Sequence, residues 1–222
     1  MKKRNVLNRF TSLPILLEML TSRCIALLNP ANWEDRNDSY YIEEYRKEKK
    51  LLAVLAICFT SGRETYHHWK IYSDGQAGIC IEFDKKKVLQ QIQNMKDLRW
   101  GDVDYKWIKE NRKPSPEQWP FLKRKPFEDE SEFRIIYESS QGDEKIKKVP
   151  VSLKCINKIT ISPWLHESTF KTVSRIIRSI RGCRRLKINR STLLENRKWK
   201  REITKKEGKP QTSKIETTKN AG

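Results

Sequence analysis

The sequence predicts an α+β domain, a single mixed sheet with flanking helices, followed by a basic tail. Three observations carry that expectation. Short apolar runs alternate along the chain with stretches whose apolar residues recur at helical spacing. Hydrophobic residues make up 36% of the 222 positions, with seven Trp, seven Tyr and seven Phe, enough for a packed core although 34% of residues are charged. The last twenty residues, ITKKEGKPQTSKIETTKNAG, hold almost no large apolar groups, so nothing there offsets the entropy of ordering them. Residues 1–202 are therefore expected to form the domain and 203–222 a disordered basic tail.

Each element has a local signal. Arg9-Phe10-Thr11 reads as the end of a first strand, after which Ser12 caps a helix with Leu13, Leu16, Leu17 and Leu20 on one face. Cys24–Leu28 is a buried strand stopped by Asn29-Pro30. An acidic, aromatic segment, Trp33 to Asp38, leads into a polar helix near Tyr40 to Lys50. Leu51 to Ser61, LLAVLAICFTS, has the apolar character of a central strand covered on both faces. Trp69 and Tyr72 are spaced for one side of a helical turn, Asp74-Gly75 marks a turn, and Gly78–Phe83 reads as the next strand. Arg99 to Tyr105, Glu132 to Tyr137 and Cys155 to Ile161 supply further strands. Phe170, Val173, Ile176, Ile177 and Ile180 form the apolar stripe of a helix whose other face is basic, and RRLKINRS reads as a last strand.

Charge and cysteine usage narrow the function classes. The net charge is +19, and Arg181 to Gly222 carries 14 Lys or Arg against 4 Glu, about half of that excess. Such a segment attracts polyanions by counterion release, so the basic C-terminal region reads either as a nucleic-acid-binding segment or, equally, as a tail that only solubilises. Five cysteines without a Cys-x-x-Cys pair read as buried thiols of a reducing compartment. The basic start is followed by an apolar segment too short and too broken for a signal peptide, and no run approaches the ~20 apolar residues that span a membrane. A cytoplasmic protein is expected. With eight glycines and no Gly-rich phosphate loop, a nucleoside triphosphatase is disfavoured. His67-His68 point apart on a helix and lack a third histidine nearby, so no metal is predicted. Asp35 and Asp38 are spaced for one helical face or for capping the following helix; a paired-carboxylate Mg²⁺ site, as a nuclease would need, stays open but lacks a Lys or His partner at a telling spacing.

The ordered set RFTSLPILLEML, LLNPANWEDRND, CFTS, HHWKIYSDGQAGICIEFD, KPFEDESEFRIIY and INKITISP resembles bacterial domain-of-unknown-function family number 2971, from about Arg9 to Arg190. The resemblance implies a fold and shared polar positions rather than an activity; Thr60 stands where the family commonly has Ser. The order Arg9, then Phe59-Thr60-Ser61, then Glu130-Ser131-Glu132 is similar to the arginine, serine, glutamate pattern of ADP-ribosyltransferases. That similarity implies NAD as substrate, with Glu132, Glu130 and Ser61 in catalysis and Arg9, Phe10, Thr60, Trp69 and Tyr72 holding the dinucleotide. It also implies a toxin or phage-defence effector modifying nucleic acid or protein.

The chemistry explains the residue types. Breaking the nicotinamide–ribose bond develops an oxocarbenium-like cation that a carboxylate stabilises, an Arg fork binds pyrophosphate, a hydroxyl residue locks the carboxylate and an aromatic face stacks on nicotinamide. In an extended segment Glu130 and Glu132 project to one side, whereas a bland reading pairs these acids with Lys123, Arg124, Lys125 and Arg134 as surface ions. The competing reading of the whole chain is a non-catalytic nucleic-acid-associated module acting through its basic helix and tail.

Overall fold

The computed structural model describes residues 5–108 and 114–204. Eleven strands and six α-helices follow in the order β1 (Val6–Ser12), α1 (Leu13–Ser22), β2 (Cys24–Leu28), α2 (Arg36–Glu48), β3 (Ala53–Thr60), α3 (Tyr66–Tyr72), β4 (Gly78–Asp84), α4 (Lys85–Ile92), β5 (Leu98–Asp102), β6 (Asp104–Lys106), β7 (Leu122–Arg124), β8 (Glu132–Ser139), β9 (Ile146–Pro150), β10 (Ile156–Ile161), α5 (Glu167–Ser179), β11 (Ile188–Arg190) and α6 (Arg197–Thr204) among the described residues. Nine of these strands make one mixed sheet, ordered β11-β10-β4-β1-β3-β2-β9, with β8 on the other edge of β3 and β5 beyond it; β6 and β7 pair separately. Only β10 and β11 run parallel within the large sheet. The chain is thus an α+β domain.

Side-chain chemistry sets most boundaries. Asp35 accepts hydrogen bonds from the Asn37 and Asp38 amides and so starts α2 four residues before Tyr40, where the expected polar helix began. Thr65 caps α3 through the His68 amide, and Asp84 caps α4 through the Lys87 amide. α4 and β9 went unrecognised in the sequence; both are rich in lysine, which masks their apolar positions. The expected strand from Arg99 to Tyr105 is split at Val103, whose amide turns to the Glu132 carbonyl, and Cys155 ends a 3-10 turn rather than starting a strand. Ile203 and Thr204 close α6; the rest of the expected tail lies outside the described residues.

Alternation along the strands sorts the side chains into two faces. Leu7, Ile57, Phe59, Ile79, Ile81, Phe83, Phe133 and Ile135 pack against α1, α4 and α5 in the main core. On the opposite face Val54, Ala56 and Ile136 pack on Ile42 and Tyr45 of α2, and Phe10 and Cys80 pack on Trp69 of α3. Between those two smaller clusters lies a gap in the sheet. β8 covers one edge of β3 over all of Ala53–Thr60. On the other edge β1 touches β3 only at Asn8↔Thr60 and β2 only at Leu28↔Ala56. The backbone of Ile57, Cys58 and Phe59 therefore faces an opening instead of a neighbouring strand.

Candidate active site

That opening is the floor of a cleft of about 720 Å³, in the range of pockets that hold a small molecule. β1 supplies Asn8, Arg9 and Phe10, the segment after β2 supplies Trp33, Glu34 and Asp35, α3 supplies His67, His68, Ile71 and Tyr72, and the chain from Lys123 to Glu132 closes the remaining side. Six of the eight expected site residues line it: Arg9, Phe10, Thr60, Tyr72, Glu130 and Glu132.

Arg9 reaches the cleft because β1 and β3 diverge. Alternation sets it in register with Ile81 of the core face, yet its Nη1 donates to the Cys58 carbonyl at 3.0 Å, at the edge that β1 leaves uncovered. Burial lowers its pKa, and it has no carboxylate partner among the described residues. A sunken guanidinium with spare donors has the chemistry to take an anion.

The acidic side is built around Arg134, which is 0% exposed. Its Nε donates to Glu132 Oε1 at 2.5 Å and its Nη2 to Glu132 Oε2 at 2.9 Å, while Nη1 donates to Asp38 Oδ1 at 2.7 Å and to the Pro120 carbonyl at 2.9 Å. Nη2 also binds Asp38 Oδ2. Lys123 Nζ joins Glu130 Oε2 at 2.5 Å, Glu132 Oε2 at 3.3 Å and Asp38 Oδ2 at 3.7 Å. The five groups carry three negative and two positive charges.

Their environments push the two glutamates apart. Burial drives the Glu132 carboxyl up, but the charge and hydrogen bonds of Arg134 and the charge of Lys123 outweigh it and bring it down to about 2. Burial dominates at Glu130 and raises its pKa, despite hydrogen bonds from Lys123 and Tyr72. Glu132 is thus an ionised carboxylate across the working range, while burial shifts Glu130 toward its neutral form.

Glu130 and Glu132 do converge on one ammonium, but not through an extended segment. Ser131 adopts the left-handed conformation (φ 47°, ψ 49°), ending the 3-10 turn Lys125–Glu130 before β8 begins. Ser61 pins that turn: its amide and its hydroxyl donate to the Ser131 carbonyl at 2.9 Å and 3.0 Å. Ser61 does not line the cleft; it holds the turn that carries Glu130 and Glu132. Trp69 does not line the cleft either. Its ring is 0% exposed, edge-on to Phe10 at 5.1 Å, with the indole N–H donating to Glu64 at 2.7 Å, while Tyr72 lies at the cleft, so the two rings do not share a side.

The aromatic wall is instead Phe10, His68 and Tyr72: Phe10 stacks on His68 at 5.1 Å and 22°, and His68 is 6.4 Å from Tyr72. Burial lowers the His68 pKa and keeps the ring neutral. Thr60 accepts from the Gly62 amide at 3.0 Å and sits in register between Asn8 and Glu132.

The pairing of the two glutamates with Lys123 and Arg134, expected at the surface, is present but buried, and what sequence did not bring to it is Asp38. Asp35 does cap α2, but its Oδ2 is buried at the cleft without a hydrogen-bond partner among the described residues. Asp38 is committed to Arg134, which removes the paired-carboxylate metal arrangement; no group of three or more His, Cys, Asp or Glu among the described residues is placed to hold a metal ion. None of the described helices is long and apolar enough to cross a membrane.

No family model matches the chain, so the resemblance to family 2971 has no support from that side, and no curated protein matches it. Solved structures of DarT from Thermus sp. 2.9 overlap it at 10% identity. The complex with ADP-ribosylated ssDNA covers 84% of this chain and 94% of its own, with a TM-score of 0.46. The complex with carba-NAD⁺ covers 86% and 97%, with a TM-score of 0.47. At these scores the overlap carries no argument about chemistry.

Proposed function

We propose that the cleft binds NAD and breaks its nicotinamide–ribose bond, passing ADP-ribose to an acceptor or to water. The observation that carries this reading is the polarity of the cleft. Its lining combines a single guanidinium, Arg9, without a carboxylate partner among the described residues, and an anionic cluster with one negative charge in excess. NAD is built the same way: two phosphates carry negative charge, and the pyridinium beside them carries positive charge. Arg9 takes the phosphates, Asp35 Oδ2 is an open acceptor for a ribose hydroxyl, and the Phe10–His68–Tyr72 wall offers a face for a planar ring.

The chemistry follows from the same charges. As the C–N bond lengthens, its electron pair goes to the nicotinamide ring, which leaves neutral, and positive charge grows on the ribose. Glu132, held ionised and fixed by Arg134 and Lys123, stabilises that charge without reorganising. The incoming oxygen or nitrogen bonds to the ribose carbon and gives its proton to Glu130, whose raised pKa suits a base. Ser61 keeps both carboxylates in place through the Ser131 carbonyl. In this reading the protein is an effector of toxin or defence type.

The test is nicotinamide release from NAD by wild type, Glu132→Gln, Glu130→Gln and Arg9→Ala, with and without nucleic acid or cell extract. Glu132→Gln is expected to lower turnover by about 10²–10³-fold, Arg9→Ala to weaken NAD binding, and Glu130→Gln to spare hydrolysis more than transfer. Circular dichroism separates loss of chemistry from loss of fold. Wild-type protein that neither binds nor consumes NAD under any of these conditions overturns the reading.

A further inference from the structure

The face of the sheet away from the cleft carries the opposite charge. From Ser168 to Leu194 the chain has no Asp or Glu and eight Lys or Arg. α5 turns Ile177 into the main core and leaves Arg175 and Arg178, one turn apart, exposed. The chain then passes through Gly182 at φ 81°, a conformation that favours glycine, and exposes Arg181, Arg184, Arg185 and Lys187 before β11. Cys183, 0% exposed, anchors this turn, and Arg23 clamps it by donating to the Arg181 carbonyl and, at 3.7 Å, to the Cys183 sulfur. Gly182, Arg184 and Arg185 line a shallow concavity of about 530 Å³. None of the six cations has a carboxylate partner among the described residues; the nearest ion pair along the chain joins Lys171 to Glu167.

We propose that this α5–β11 face docks the phosphate backbone of nucleic acid, separately from the cleft and whatever the cleft's chemistry. Folding has fixed these like charges together without relieving their repulsion, and a polyanion relieves it with release of counterions. Five of the six are arginines, whose planar forks fit phosphate oxygens. An anionic membrane is the lesser fit, since surface-lying helices insert an exposed apolar stripe and α5 spends much of its stripe, Phe170, Val173 and Ile177, on the core.

The test compares the full chain with Arg184→Ala/Arg185→Ala and with Lys47→Ala/Lys50→Ala, which removes the same charge at the end of α2. Binding to labelled duplex and single-stranded oligonucleotides of mixed sequence is followed by anisotropy over a salt series, beside sedimentation with vesicles rich in anionic phospholipid. The arginine double is expected to weaken duplex binding by about tenfold and flatten the log–log salt slope by about 2, near 0.9 per lost phosphate contact. The lysine double should change affinity less than about twofold, as expected for charges outside the contact. Equal losses in the two doubles, or vesicle binding without oligonucleotide binding, overturn the proposal. Nicotinamide release plays no part in this readout, so the two proposals fail separately.

Discussion

The cleft and the α5–β11 face hold charge in contrasting ways. In the cleft Asp38, Glu132, Arg134 and Lys123 are nearly or wholly withdrawn from water, with side-chain exposures of 0–8%, and each is satisfied by the others. On the back face the arginines stand in solvent with no carboxylate partner among the described residues. Desolvation makes the first arrangement costly to form and still more costly to break in part. Water screens the second, which contributes little to the fold and acts at a distance on whatever approaches. Buried charge is suited to positioning a reaction, and exposed charge to gathering a partner.

The contrast breaks most visibly at Arg134. Arg134→Met leaves Asp38 and Glu132 buried without their main partner and is expected to cost about 3–5 kcal/mol in urea unfolding. Arg178→Ala on the back face should stay within about 0.5 kcal/mol of wild type. A small loss at Arg134 would mean that the cluster is hydrated and does not set the geometry of the site.

Acid sharpens the comparison. Glu132 has its folded pKa depressed to about 2 from 4.5, so its contribution is complete above pH ~4.5 and is lost as pH falls toward 2. The full shift corresponds to about 3 kcal/mol. Burial pushes Asp38 and Glu130 the other way, so the measurement is the stability of wild type minus that of Glu132→Gln across this window. The difference should shrink on acidification; a flat difference would show that Arg134 and Lys123 do not hold Glu132 ionised.

At Ser61 the expected effect is smaller. Ser61→Ala removes one hydroxyl donor from the Ser131 carbonyl and should cost about 1 kcal/mol, while lowering nicotinamide release more than it changes the KM for NAD. Unchanged turnover would free the Glu130–Glu132 turn from any dependence on Ser61. The smallest effect is expected from removing residues 205–222. Stability should not move, and the salt slope for nucleic acid should fall by less per lost lysine than in the Arg184→Ala/Arg185→Ala double. A slope that collapses on truncation would shift the docking surface from the back face to the tail.

Local pattern was enough to recognise much of the architecture. Period-2 and period-3.6 repeats are properties of neighbouring residues, so β1, β2, β3, β4, β8, α1 and α5 were visible as runs, and α2 was visible with Asp35 among its offered caps, though its first turn lies ahead of the expected Tyr40. Segments dominated by lysine, such as α4 and β9, were not, because a few apolar residues among many charges leave a weak repeat.

The candidate site divides the same way. Arg9, Thr60, Glu130 and Glu132 stood out as a pattern, and a charge census alone showed that the C-terminal part of the chain is basic. Nothing in sequence could pair Asp38 with Arg134, which are brought together by the packing of α2 on the face of β8, or open the gap at Ile57–Phe59, which exists because β1 and β2 each meet β3 at one residue. Ser61 and Trp69 had the right types and the right spacing, but register and burial turned one to a backbone carbonyl and the other into the core. Sequence by itself determined which residues alternate, cap and carry charge, since those depend on neighbours along the chain. Tertiary structure decided which charges are buried together and which stay in water, because desolvation depends on neighbours in space.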